Sequence, residues 1–138
     1  MTAAPRLTFF CELERAAFAR LFAEPTVIDH VRALEAGVCV GVLDLSAERA
    51  AVLRRLSKAG VPLTAWLLLP EDQGYWFNIN NYREAVARYA AFQEWTAEHG
   101  LIWRAIGLDI EFDMRDLRLA HRLCDTIAVF SLEGYLDC

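Results

Sequence analysis

An α/β fold built on a parallel sheet is what this 138-residue sequence predicts. Three observations carry the prediction. Short apolar runs rich in β-branched residues alternate with longer amphipathic stretches, as they do when strands and helices take turns around a covered sheet. Gly37, Gly60 and Gly100 close the amphipathic stretches, where a helix commonly needs a left-handed residue to stop. Acids recur near the ends of the apolar runs, as Glu12, Asp44, Asp109 and Glu111.

Taken in order, Leu7 to Leu13 reads as the first strand and Arg15 to Phe22 as a short helix. Pro25, suited to a first helical turn, opens a second helix expected to run to Ala36, with Gly37 ending it. Val38 to Leu45 is an almost continuous apolar run of the kind parallel strands carry when both faces are covered. Ser46 then caps a helix over Ala47 to Ala59, with Ala50, Leu53 and Leu56 on one face. Val61 to Leu69 is the third strand, tolerating Pro62 at its start. The stretch from Glu71 to Asn81 is a loop richer in aromatics and amides than a connector requires. Asn80 or Asn81 caps a helix from Tyr82 to His99, whose Ala85, Val86, Tyr89, Phe92 and Trp95 follow helical spacing. Arg104 to Phe112 is the fourth strand, and Met114 to about Val129 reads as a last helix. Residues 130–138 carry no element signal.

With 56% hydrophobic and 24% charged residues, the chain has the composition of one α/β domain over residues 1–138 with a core of its own. A net charge of -5 gives no electrostatic footprint for nucleic acid or an anionic membrane. No apolar run approaches the roughly 20 residues of a membrane helix, and the N-terminus lacks the basic and apolar regions of an export signal. A cytoplasmic location is therefore expected. Cys11, Cys39, Cys124 and Cys138 form no CxxC pair, so no zinc site is expected.

Four βα units in a row fit either half of a (β/α)8 barrel or a small open parallel sheet. The barrel explains the acids, because barrel enzymes assemble their sites at the C-terminal ends of the strands. The open sheet lacks a GxGxxG or GxxxxGK[ST] loop to receive a phosphate. A full barrel takes about 250 residues, so this chain supplies about half of one. A second copy, a partner chain or residues outside this sequence must then cover two open strand edges.

The most informative stretch is Ile106-Gly107-Leu108-Asp109-Ile110-Glu111-Phe112-Asp113. A strand repeats its facing every two residues, so Asp109, Glu111 and Asp113 share one face. Carboxylates in a row are costly to bury unpaired, so such a face is expected where water, a cation or a substrate reaches it. Asp109 and Glu111, about 6.6 Å apart along the strand, form a pair able to hold one proton and one charge. The plain structural alternative is pairing with Arg104 or Arg115.

Here the sequence resembles glycoside-hydrolase barrels. Gly107, Asp109, Glu111 and Asp113 fall on the glycine and last three acids of the chitinase-like strand-four motif. Ile106 stands at its first Asp, Glu111 at an Asp, and Asp113 at its proton-donating Glu. Leu108-Asp109-Ile110-Glu111 resembles the Leu-Asp-x-Glu run of muramidase-like barrels. That resemblance implies a hydrolase acting on a carbohydrate, with Glu111 as general acid and Asp109 as its electrostatic neighbour.

Candidate binding residues are Glu12 and Asp44 near strand ends, as bases, ligands or hydroxyl acceptors, with a helix-capping role as the alternative for Asp44. Trp66, Tyr75 and Trp76 offer stacking surfaces for sugar rings, and Asn78 offers an amide for hydroxyls. The bland alternative is that Trp66 fills the barrel and Trp76 anchors the loop. His30, His99 and His121 read as ordinary helix histidines. No cofactor is expected for a glycosidase. A divalent cation on Glu12, Asp44, Asp109 and Glu111 belongs to the alternative of phosphodiester chemistry. A third alternative is a silent half-barrel that binds a ligand or assembles with a partner.

Overall fold

The computed structural model describes residues 7–111. Four strands, β1 (Thr8–Cys11), β2 (Gly37–Val42), β3 (Leu63–Leu67) and β4 (Ala105–Leu108), form one sheet in the order β1-β2-β3-β4. Every pairing is parallel. Parallel neighbours need a crossover, and helices supply it: α1 (Arg15–Ala23) and α2 (Pro25–Ala33), then α3 (Ala47–Lys58), then α4 (Tyr82–Glu98). The strand order never reverses, so the sheet has no switch point of the doubly wound kind. This is the order successive strands take in a (β/α)8 barrel.

The period of two divides the sheet into unlike faces. Cys11, Val38, Val40, Val42, Leu63, Ala65 and Leu67 are buried in one cluster with Phe18, Phe22, Ile28, Val31, Leu53, Leu56, Phe92 and Trp95 of the helices. Phe10, Cys39, Gly41, Thr64 and Trp66 alternate with them and form the opposite face. Phe10 is 75% exposed there.

Ser46 Oγ accepts the Arg49 backbone N–H at 3.2 Å, capping α3 as its sequence position predicts. The second helix is shorter than expected. It ends at Ala33, and Glu35, not a glycine, takes the left-handed turn at φ 49°. Gly37 is needed in the sheet: it opens β2 opposite Thr8, its N–H donating to Leu7 O at 2.9 Å. In α4 only Phe92 and Trp95 are buried, while Val86 and Tyr89 of the same stripe are exposed.

Two arginines bind the C-terminal ends of the strands. Arg49, 1% exposed, donates from Nη1 to Gly41 O at 3.1 Å and from Nη2 to Leu13 O at 2.9 Å, with its guanidinium 4.9 Å from the Phe18 ring centre. Arg88 donates to Leu68 O at 3.0 Å and Val42 O at 2.8 Å. Carbonyls at strand ends have no ladder partner, and these side chains supply one. Among the described residues no helix is long and apolar enough to cross a membrane. The expected last helix, Asp113, Arg115, His121, Cys124 and Cys138 lie outside the described residues.

Candidate functional site

The connection from β3 to α4 shapes the C-terminal end of the sheet. Pro70 O accepts from Gln73 N at 2.9 Å, a 3-10 turn covers Glu71–Gln73, and Gly74 and Tyr75 follow with φ 102° and 62°. Consecutive left-handed residues reverse the chain sharply, and Tyr75 O returns to accept Leu69 N at 2.8 Å. A non-glycine residue in that region is held against a local preference, as happens where a side chain must be aimed. Tyr75 is aimed at β1, and its hydroxyl donates to Glu12 Oε1.

Burial, the hydrogen bond to Glu12, and the charges of Glu12, Glu14 and Glu71 push the Tyr75 phenol above its ordinary value. The hydroxyl therefore stays a donor at physiological pH, and it engages one of the two Glu12 carboxylate oxygens. Glu12 lies directly across Gly41, where a Cβ would sit 3.4 Å from Glu12 Cα and Cγ.

The same loop fixes the fourth strand. Phe77 is buried and bridges Ile110: its N–H donates to Asp109 O at 3.3 Å, and its carbonyl accepts Glu111 N at 3.0 Å. Asp109 and Glu111 thus lie two residues apart on a braced extension of β4. Counting in twos from Gly107, the register partner of Trp66, puts both on the open face. Asp109 is half-buried and Glu111 exposed. Among the described residues neither carboxylate has an ion-pair partner, and the Arg104 backbone N–H, not its side chain, bonds Leu63 O at 2.8 Å.

The other candidates divide into two groups. Trp66 is half-buried on the open face, with Phe10 edge-on at 6.1 Å between ring centres. Trp76 packs edge-on against Tyr75 at 5.4 Å. Asn78 is taken up inside the loop: its Oδ1 accepts the N–H groups of Asn80 and Asn81 at 2.9 and 3.1 Å, and its Nδ2 donates to Trp76 O at 3.3 Å. Asp44 faces Arg49, which donates to Oδ2 from Nε at 2.9 Å with Nη2 2.8 Å away, while Ser46 N donates to Oδ1 at 3.1 Å. Burial opposes ionisation of Asp44, but the hydrogen bonds from Ser46 and Arg49 and the Arg49 charge outweigh it, so the carboxyl lies below its ordinary 3.8.

Comparison with known proteins gives no match to a family model, a curated protein or a solved structure. The chemistry on offer is therefore what these side chains have in place. Glu12, Asp109 and Glu111 supply carboxylates, Trp66 and Phe10 an aromatic surface, and Tyr75 a hydroxyl that holds Glu12 in place. Among the described residues no three His, Cys, Asp or Glu side chains come together as a metal ion would require. The sequence reading missed Phe10, whose place in an apolar run gives no sign of exposure, and Arg49, whose position in an amphipathic helix suggests solvent.

Proposed function

We propose that the chain is the strand-one-to-four portion of a glycoside-hydrolase-like (β/α)8 barrel, acting in the cytoplasm on a carbohydrate at the C-terminal ends of its strands. A second copy of the chain supplies the remaining strands. The observation that carries the reading is the shared facing of Asp109, Glu111 and Trp66, with no cation on either acid among the described residues.

Cleavage of a glycosidic bond needs a protonated carboxyl at the leaving oxygen and a second carboxylate that acts as base, nucleophile or stabiliser. Glu111 is the acid and Asp109 its charged neighbour. Glu12 has one oxygen on Tyr75 and the other available to a sugar hydroxyl. The aromatic surface of Trp66 suits the apolar face of a sugar ring.

The test is hydrolysis of N-acetylglucosamine oligomers and of peptidoglycan glycan strands by wild type and Glu111→Gln. Removing a general acid costs about 10²- to 10⁴-fold in rate, so Glu111→Gln is expected to lose at least a hundredfold with an unchanged melting temperature. Equal rates in the two proteins would remove Glu111 from the mechanism.

A further inference from the structure

Tyr75 sits in the left-handed region at φ 62° although it is not a glycine, and strain of that kind persists only where the surroundings impose it. Three contacts do so. The Tyr75 carbonyl accepts Leu69 N at 2.8 Å, its ring packs edge-on against Trp76 at 5.4 Å, and its hydroxyl donates to Glu12. The first two stay close to the turn after β3. The third crosses to the residue that follows β1.

Two residues further on, the chain is tied in the other direction. β4 ends at Leu108, and beyond it the Phe77 N–H bonds Asp109 O at 3.3 Å while Phe77 O accepts Glu111 N at 3.0 Å. The backbone of the acid pair therefore lies where Phe77 puts it. Between the two ties, Asn81 Nδ2 donates to Gln73 O and Trp76 O at 3.0 and 2.8 Å. A segment braced in its middle moves as one piece, so a shift at Tyr75 reaches Phe77.

We infer that Tyr75 is a positioning residue for the acid pair: its hydrogen bond to Glu12 fixes Phe77, and Phe77 fixes the backbone of Asp109 and Glu111. Glu12 is thereby coupled to both acids through the connection rather than by direct contact. Coupling of this kind is reciprocal. A ligand group that takes the Glu12 oxygen from Tyr75 resets Asp109 and Glu111, and the setting of those acids alters the affinity at Glu12. The tie itself is a property of the free chain, whereas its effect on turnover rests on the carbohydrate reading.

The experiment is amide hydrogen exchange on the full chain, wild type against Tyr75→Phe, Glu12→Ala, their double variant and Glu12→Gln, together with rates on N-acetylglucosamine oligomers. Tyr75→Phe removes one oxygen and keeps the ring. It and Glu12→Ala are each expected to speed exchange at Phe77 and Glu111 about fivefold or more, with the β2 amides unchanged. The double variant should go no further than either single one, as two ends of one contact require. Glu12→Gln keeps an acceptor for the hydroxyl and should exchange as wild type does. In turnover, Tyr75→Phe is expected to lose about tenfold or more in kcat with KM nearly unchanged, because displaced acids fail in the transition state. Wild-type exchange at Phe77 and Glu111 in Tyr75→Phe, or equal acceleration at the β2 amides, overturns the tie. Selective acceleration with a wild-type kcat overturns the positioning role. Selective acceleration with no hydrolysis by wild type supports the tie and overturns the carbohydrate reading.

Discussion

Arg49 has a side chain with no exposed surface, and a guanidinium keeps its charge there only because its donors find acceptors. Asp44 takes the charge and the carbonyls of Gly41 and Leu13 take the remaining donors. Asp44 is thus the residue that allows an arginine to join the strand ends, and a ligand that displaced Arg49 from it would leave that charge buried and unpaired. Asp44→Asn is expected to cost about 3 kcal/mol, the scale for breaking a buried pair from one side, measured by denaturant unfolding at neutral pH. The pH dependence has a definite sign. A carboxyl held below its ordinary 3.8 in the fold contributes stability in full above that value and loses it as pH falls through the folded-state pKa. The gap between wild type and Asp44→Asn should therefore be constant from neutrality down to about pH 5 and close in stronger acid. A gap that persists unchanged at the lowest pH at which both fold would show that the charge on Asp44 is not what holds Arg49.

At the scale of elements, the β3-to-α4 connection sets both halves of the candidate site, sending Tyr75 to Glu12 and Phe77 to the backbone of Asp109 and Glu111. Its stiffness comes from Asn81, whose Nδ2 donates to Gln73 O and Trp76 O at 3.0 and 2.8 Å and whose Oδ1 accepts Asn78 N at 2.8 Å. Gly74 fits over that amide only because it lacks a Cβ, which would lie 2.8 Å from Asn81 Nδ2 at a φ of 102°. Gly74→Ala is expected to cost about 1–3 kcal/mol in backbone strain, with the clash adding to it. It should also accelerate amide hydrogen exchange at Phe77 and Glu111 more than at the β2 amides. Uniform acceleration would mean that the loop does not brace β4. Strands and helices were legible because apolar runs and helical spacing are local signals. The shared facing of Asp109 and Glu111 rests on strand parity in the sequence and the fold alike, because β4 ends at Leu108 and only the Phe77–Ile110 bridge carries it on. The end of α2 was not legible: the pull of Gly37 into register with Thr8 is a tertiary demand that a left-handed Glu35 answers. Nor was the use of Asn78 inside the loop, because an amide that bonds its own backbone and one that bonds a ligand look alike in a sequence.

For the whole molecule, the one-way strand order leaves β1 and β4 each paired on one side only among the described residues. Such edges invite another strand unless something covers them. Beside β1, Leu21, Phe22, Val27, Val31 and Leu34 with Phe9 line an open apolar groove of about 560 Å³. On β4, Ile106 and Leu108 lie on the helix-side face, in register with buried Ala65 and Leu67, yet are 42% and 55% exposed. Among the described residues, both edges therefore lack the neighbour that a further parallel strand and its helix would provide. Under the proposed reading, a twofold arrangement would join β4 of each copy to β1 of the other with one self-complementary set of contacts, and would set the open face with Trp66 inside a closed barrel. The expectation is a particle of twice the 15.6 kDa chain mass by light scattering, losing mass and structure in one transition whose midpoint rises with protein concentration. Leu108→Lys should halve that mass, since a charge on an uncovered strand opposes pairing. A wild-type monomer with a cooperative, concentration-independent melt would instead make the open four-stranded sheet the working unit, and the acids and Trp66 would then face solvent rather than a barrel interior.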